Sequence, residues 1–472
     1  MFPVYFETLG CRLNQIETES LAQAFLSAGF TIRTGTSAEP DISEKPVSLS
    51  GGILISPSAS PELCIVNTCT VTGKAEQKAR RLIRLLLRNY PESVILVTGC
   101  YAELDALSIA AIDPRICVYP GSKKGYLAKL PSFLLASMES CPGQSVQDIL
   151  KNFCSGTFPE TDAAGIPGEQ SFVLSTSNFL FHSRASVKIQ DGCNNNCSYC
   201  RVRLARGRAV SLEADEVISR IRSIEEAGWN EVVLTGVNLS QYRSRDGDFA
   251  RLLERILRET DHIAVRISSL YPDHIDDSLV SVAADSRIRP SFHLSVQSGS
   301  SRILEAMRRT YTPETVYIAA EKLRSVKENP FLSCDIIAGF PGETEEDFKK
   351  TRSLCEGISF AGIHAFSFSP RAGTSAYTMK PRIPERIARE RVSELITLAE
   401  GNYEEYIRYW TGRALPAILE RNTAGEAPSV LTANYLQLFL DSGEELPAGT
   451  VPGSEIYVKL IGLHKAKLEN FV

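Results

Sequence analysis

KIQDGCNNNCSYC, residues 188–200, is the stretch on which the reading of this chain turns. It closes a short β-branched run, ASVKIQ (185–190), and places Cys193, Cys197 and Cys200 at C-x3-C-x2-C spacing on a polar loop. Three thiolates on one loop can hold three corners of a cubane iron–sulfur cluster and leave the fourth iron open. A closed structural zinc site takes four ligands instead.

Downstream, apolar runs suited to buried parallel strands alternate with helical patterns. After ASVKIQ come EVVLTGVN (231–238), IAVRISSL (263–270), SFHLSVQSG (291–299), FLSCDIIAGF (331–340) and GIHAFSFSP (362–370). Helices are expected over LEADEVISRIRSIEEAG (212–228), TPETVYIAAEKLRSVKEN (312–329) and TEEDFKKTRSLCEG (344–357). Six strand–helix units in series imply a (β/α)6 sheet with right-handed crossovers, a partial TIM-type barrel over 185–404, with functional residues at the C-terminal strand ends. An open iron at that mouth is the arrangement needed to chelate and reductively cleave S-adenosylmethionine.

Upstream, VYFETLG (4–10), LCIVNT (63–68) and SVILVTG (93–99) read as strands, and ETESLAQAFLSAGF (17–30) and AEQKARRLIRLLLRNYP (75–91) as helices. They predict a parallel α/β domain over 1–155, interrupted by a long Ser/Pro/Gly-rich surface loop at 34–61. Residues 156–184 are polar and read as a linker. Beyond the barrel, RALPAILE (413–420), YLQLFLD (435–441) and EIYVKLIGLHKAKLE (455–469) are short strands separated by turn signals, a small β-barrel over 405–472.

The 472 residues carry a formal net charge of −5, with 43% apolar and 23% charged residues, the balance of an ordinary globular protein rather than a disordered one. With no basic n-region ahead of an apolar run and no stretch long enough to span a bilayer, the expectation is a cytoplasmic protein without a membrane partner. The mild acidity argues against coating nucleic acid indiscriminately. Twelve cysteines in a chain that needs no disulfides point to metal or redox chemistry. Cys11, Cys69 and Cys100 each stand at the end of an expected strand or in the turn beyond it, and strand-end thiolates of one parallel sheet can converge on one site. Cys64 is an odd number of residues from Cys69 and so faces the other side of the strand. It is read as packing, as are Cys334 and Cys355, while Cys117, Cys141 and Cys154 match no motif.

With Tyr199 as the aromatic residue between its last two cysteines, the 193–200 loop resembles the signature of the radical S-adenosylmethionine enzymes. LGCRLNQIETES (9–20), IVNTCTVT (65–72) and VTGCYAE (97–103) resemble the N-terminal domain of the methylthiotransferases, whose three cysteines hold a second iron–sulfur cluster. In the barrel the resemblance extends through ARGR (205–208), SSLYPDHI (268–275), QSGSSRILEAMRRTYT (297–312), DIIAGFPGETEEDF (335–348) and SPRAGTSAY (369–377). The terminal strands look like the RNA-binding TRAM barrel of the same enzymes. CRLNQIETE is similar to the branch that methylthiolates threonylcarbamoyl-adenosine in tRNA. Arg201 and Arg203 stand where the family more often has an aliphatic-plus-Pro stretch, and Ser295 and Val296 where it more often has Pro and an aliphatic residue.

The resemblance implies two 4Fe–4S clusters, one on Cys193, Cys197 and Cys200 and one on Cys11, Cys69 and Cys100, with S-adenosylmethionine as radical source and methyl donor. Gly236 and Gly339 end strands where a backbone would approach a ligand, and the resemblance adds Tyr199, Ser268 and Gln297 to the S-adenosylmethionine site. Arg201, Arg203, Arg206 and Arg208, beside the barrel mouth, and Lys465 and Lys467, on the β domain, are the RNA-contact candidates. The implied reaction inserts a methylthio group at C-2 of threonylcarbamoyl-adenosine at position 37, in the anticodon loop. The implied partners are a reductant such as flavodoxin or ferredoxin and a sulfur donor, with the enzyme a monomer. Two alternatives share the chemistry, with isopentenyl-adenosine in tRNA or a ribosomal protein as substrate. A third is a non-catalytic RNA-binding protein with structural metal.

Overall fold

The computed structural model describes residues 2–34, 60–156, 169–421 and 427–469. Most of the loop expected at 34–61 and residues 157–168 of the expected linker lie outside them. The chain forms two compact units. One comprises Met1–Phe181, Asp191–Cys193 and Arg201–Leu212, and the other His182–Gln190, Asn194–Cys200 and Glu213–Val472.

The first unit is built on a five-stranded parallel sheet of β1 (Pro3–Thr8), β2 (Thr31–Thr34), β3 (Leu63–Thr68), β4 (Val94–Gly99) and β5 (Ile116–Val118), in the order β2-β1-β3-β4-β5. β3 and β4 are buried at every residue because helices cover both faces, which is why they read as unbroken apolar runs. On one face Phe6, Phe25, Ile65, Leu96 and Phe153 pack together; on the other, Val66, Ile83, Leu86 and Val97 do. Helix α1 (Arg12–Ser27) begins directly after Cys11, five residues earlier than its apolar periodicity predicts, because Asn14 in its first turn is polar yet buried. Helix α2 (Gly73–Asn89) is capped by Thr72, whose hydroxyl accepts from Ala75 N–H at 3.1 Å. Helix α3 (Cys100–Leu104) follows β4 without a break. β2 and β5, at the sheet edges, are too short for the apolar pattern to have signalled them.

In the second unit all six expected barrel strands form: Ala185–Lys188, Glu231–Thr235, Ala264–Ile267, Ser291–Gln297, Phe331–Ala338 and Gly362–Ser367. They make two three-stranded parallel ladders, linked by a parallel bridge between Leu270 and Leu294. Their intervening helices include Ala214–Glu226, Pro313–Val326 and Glu345–Ile358. The last begins at a capping box between Thr344 and Asp347.

A single helix, Glu385–Trp410, runs across residue 404 and leads into the closed five-stranded barrel of Ala414–Leu419, Ser429–Thr432, Gln437–Leu440, Lys465–Leu468 and Glu455–Gly462. Tyr406, Ile407 and Trp410 of that helix share a core with Leu415, Val430, Leu438 and Val458. A buried ion cluster joins the start of the large barrel to this β domain. Glu231 takes Arg266 at 2.7 Å and Arg289 at 2.9 Å; Arg289 also reaches Glu455, and Arg266 donates to Thr432 O at 3.3 Å. Burial opposes the ionisation of Glu231, but the two guanidiniums outweigh it and hold the carboxyl at about 2. Among the described residues no helix is long and apolar enough to cross a membrane.

Candidate active site

In the first unit the strand-end expectation holds as geometry. Cys11 caps α1 just beyond β1, Cys69 follows β3, and Cys100 opens α3 after β4, so the three thiols stand at the C-terminal ends of three adjacent strands. Gly10, at φ +107°, lies so close to Cys69 that a Cβ there would sit 2.8 Å from its sulfur. Cys69 Sγ accepts Val71 N–H at 3.5 Å, and burial pushes its thiol up to about 11. A metal centre must therefore displace a proton that the apo thiol retains.

Arg206 runs into this site. Its side chain is only 4% exposed, and Nε donates to Cys100 Sγ at 3.3 Å. The guanidinium also bonds Asp191 at 3.0 Å, Glu17 at 3.2 Å and Asn14 Oδ1 at 2.7 Å. Lys124 closes on Glu17 at 2.5 Å. Asn14 in turn ties Leu9 O and Thr68 O, bracing the turns that carry Cys11 and Cys69. Arg201 is likewise committed, to Glu76 at 3.0 Å and Asp105 at 3.3 Å. These placements turn Arg201 and Arg206 away from the RNA role expected of them, because their charges are already neutralised inside the unit. Arg203 and Arg208 are exposed.

Cys193 opens the signature loop with its N–H on Gly207 O at 3.1 Å. In the second unit Cys200 N–H bonds Cys197 O at 3.2 Å, and Ser198 between them is anchored to Met307 O at 3.1 Å and Ala306 O at 2.8 Å. Tyr199 is half-buried and receives a hydrogen bond from Arg309 at 2.5 Å. Arg309 lies over three rings, Tyr271 at 4.7 Å and Tyr199 and Tyr311 at 5.7 Å. Its Nε and Nη1 are buried without a hydrogen-bond partner. A guanidinium with buried, orphaned donors beside Cys197 suits an anionic, thiolate-ligated group at this loop. The donor set therefore fits an iron–sulfur cluster.

The S-adenosylmethionine candidates fall at strand ends: Gly236 after Glu231–Thr235, Ser268 after Ala264–Ile267, Gln297 closing Ser291–Gln297, and Gly339 after Phe331–Ala338. Gln297 adopts a left-handed backbone, φ 69°, beyond a register shift that Tyr311 supports by donating to Val296 O at 3.1 Å. Such local strain concentrates at ligand sites. The two glycines have a plainer reason. A Cβ on Gly236 would meet Gln190 and Leu239 at 2.9 Å, and one on Gly339 would meet Ala388 at 2.5 Å.

Lys465 and Lys467 are exposed on the terminal barrel, flanking buried Ala466, with exposed Phe439 paired opposite Lys465. Asn14, Glu17, Lys124 and Arg309 are not among the residues expected at these sites. Asn14 and Glu17 follow Cys11 at intervals of three on one helix face, a signal that was available; nothing local marks Lys124 or Arg309. The remaining cysteines pack or lie at the surface as expected: Cys64 in the core against α2, Cys117 beside Cys154, Cys334 beside Cys355, and Cys141 exposed.

Comparison with known proteins agrees with this layout. Residues 187–355 match the Radical SAM superfamily and residues 47–120 the family described as Uncharacterized protein family UPF0004. The threonylcarbamoyladenosine tRNA methylthiotransferase MtaB of Treponema pallidum is 48% identical over 93% of this chain and 94% of its own length. The enzyme of the same name from Bacillus subtilis is 32% identical over 94% and 92%. Among solved structures, the radical S-adenosylmethionine methyltransferase TsrM from Kitasatospora setae, with cobalamin and a [4Fe–4S] cluster bound, aligns at TM-score 0.51 and 14% identity, covering 80% of this chain and 77% of that one. That last likeness is one of fold.

Proposed function

This chain belongs to the family of threonylcarbamoyladenosine tRNA methylthiotransferases, and from that premise we propose how its residues divide the work. It is a radical S-adenosylmethionine enzyme that methylthiolates threonylcarbamoyl-adenosine in tRNA. The observation that carries this is 48% identity across 93% of the chain. We place the modification at C-2 of the adenine at position 37, and two four-iron clusters in each chain.

When bound, the loop cluster with S-adenosylmethionine supplies an electron and a carbon radical able to attack an aromatic C–H that acid–base catalysis cannot reach. Cys193, Cys197 and Cys200 would hold that cluster. Arg309 and its tyrosines keep water from it and set a positive charge against it. Gln297 and Ser268, at neighbouring strand ends, would orient S-adenosylmethionine by hydrogen bonds. Cys11, Cys69 and Cys100 would hold the auxiliary cluster, with Arg206 donating to the Cys100 sulfur and Asn14 fixing the two adjoining turns.

The target base must leave the anticodon-loop stack to reach a barrel interior. Arg203 and Arg208, both exposed, would take phosphates. Lys465, Lys467 and Phe439 would grip flanking RNA through charge and stacking, the task of a TRAM domain. A flavodoxin- or ferredoxin-type reductant, a separate sulfur donor, a monomeric enzyme and a cytoplasmic setting complete the reading.

The test offers anaerobically reconstituted enzyme three substrates: tRNA carrying threonylcarbamoyl-adenosine, tRNA carrying isopentenyl-adenosine, and a ribosomal protein. Mass spectrometry should find the methylthio group on the first alone; product on either of the others overturns the substrate assignment.

A further inference from the structure

Three side chains on adjacent barrel strands meet at a point that the proposed reaction leaves unused. His293 lies on Ser291–Gln297, Asp335 on Phe331–Ala338 and His364 on Gly362–Ser367. Asp335 is in direct register with His364, and His293 with Ser333, two residues before Asp335 on the same strand face. Cys334 contacts Cys355 on the outer helix Glu345–Ile358, so Asp335, the next residue, points to the opposite, inner face of the sheet.

Asp335 Oδ2 lies 3.1 Å from His293 Nε2, and its Oδ1 lies 3.5 Å from His364 Nδ1. The ligand atoms of all three fall within 4.8 Å of one another, the one such grouping of histidine, cysteine and carboxylate side chains among the described residues. The other ring nitrogen of His293, Nδ1, is 3.0 Å from Ser333 Oγ. That outer hydrogen bond fixes the ring's orientation, as the partners of metal-bound imidazoles do. Exposure rises from 17% for the His293 side chain to 32% for Asp335 and 59% for His364, so the cluster is open on one side.

We propose that His293, Asp335 and His364 form a binding site for a divalent transition-metal ion, with open coordination positions toward the barrel interior. Two imidazoles and one carboxylate on one side of an ion are the donor set of open mononuclear sites for iron, manganese, cobalt or zinc. Three neighbouring strands hold the donors with little freedom to lose on binding, and Ser333 supplies the outer support. The site is independent of the tRNA reaction and stands or falls separately from it.

The experiment titrates cluster-loaded, anaerobic protein with manganese(II) chloride and follows free Mn2+ by electron paramagnetic resonance. Manganese suits this oxygen and nitrogen set and is disfavoured by thiolates, so the cysteine sites do not compete. Wild-type protein should remove one equivalent of Mn2+ per chain from solution. Ser333→Ala should weaken binding by about tenfold, and Asp335→Asn and His364→Ala by more, with iron and sulfide content unchanged. Because the His364 side chain is mostly exposed, its removal tests the site without disturbing a core. Wild-type protein that binds no more Mn2+ than Asp335→Asn, or binding that survives both ligand substitutions, overturns the proposal and leaves a hydrogen-bonded triad only.

Discussion

Arg309 carries a charge that no carboxylate among the described residues neutralises, pressed between Tyr199, Tyr271 and Tyr311 beside the signature cysteines. A cation so placed favours electron entry at an adjoining cluster, since reduction adds negative charge there. Arg309→Gln should therefore make the loop cluster harder to reduce, by about tenfold in the reduction equilibrium or roughly 60 mV, while Arg309→Lys restores most of the difference. A redox titration followed by electron paramagnetic resonance reads this directly, and an unmoved potential would confine Arg309 to packing. Arg206 presents the complementary case. Arg206→Gln leaves Glu17 and Asp191 buried with a cation lost between them, and should destabilise the first unit by about 3–5 kcal/mol in urea unfolding. The strand-end placement of Cys11, Cys69 and Cys100 was legible because each lies in its own short strand-and-turn motif. Arg206 was not, because its partners come from positions 14, 17, 100 and 191. An arginine run beside a cysteine loop looks the same whether it faces phosphate or a buried carboxylate.

At the scale of elements, alternation of apolar runs and helical patterns yielded all six barrel strands and the three long strands that end in ligand candidates. Burial on both faces imposes continuous hydrophobicity on such strands. The pattern failed where burial and polarity coincide, as in the first turn of α1. The Glu231–Arg266–Arg289 cluster was illegible for another reason: the strands EVVLT and AVRI formed as read, but their charged residues find partners on other strands and in the β domain. The depressed carboxyl of Glu231 has a definite pH signature. Its folded pKa, about 2, lies below the ordinary 4.5, so its contribution is complete above about 4.5 and is lost as pH falls toward 2. That contribution is roughly 3 kcal/mol, and acid unfolding of Glu231→Gln should lack the corresponding steepening between those values. The variant should also be less stable near neutrality, since two buried guanidiniums then lose their carboxylate.

Across the whole molecule, a net charge of −5 is compatible with RNA binding only if the contacts are local. Replacing Lys465 and Lys467 together with Ala should weaken tRNA binding and flatten its salt dependence by a slope of about two, one for each lost phosphate contact. Phe439→Ala should weaken binding by about 1–3 kcal/mol with the slope unchanged. A salt slope that ignores the lysines would move the RNA surface elsewhere. The two sets of three cysteines make the sharpest demand on the whole chain, because they assign separate duties to separate clusters. Anaerobic iron and sulfide analysis, paired with an assay for 5′-deoxyadenosine, measures both at once in wild-type, Cys69→Ala and Cys197→Ala proteins. About eight irons per chain should fall to about four in either variant, and 5′-deoxyadenosine should persist in Cys69→Ala and vanish in Cys197→Ala. Unchanged iron in Cys69→Ala, or deoxyadenosine lost from both variants alike, would contradict the assignment.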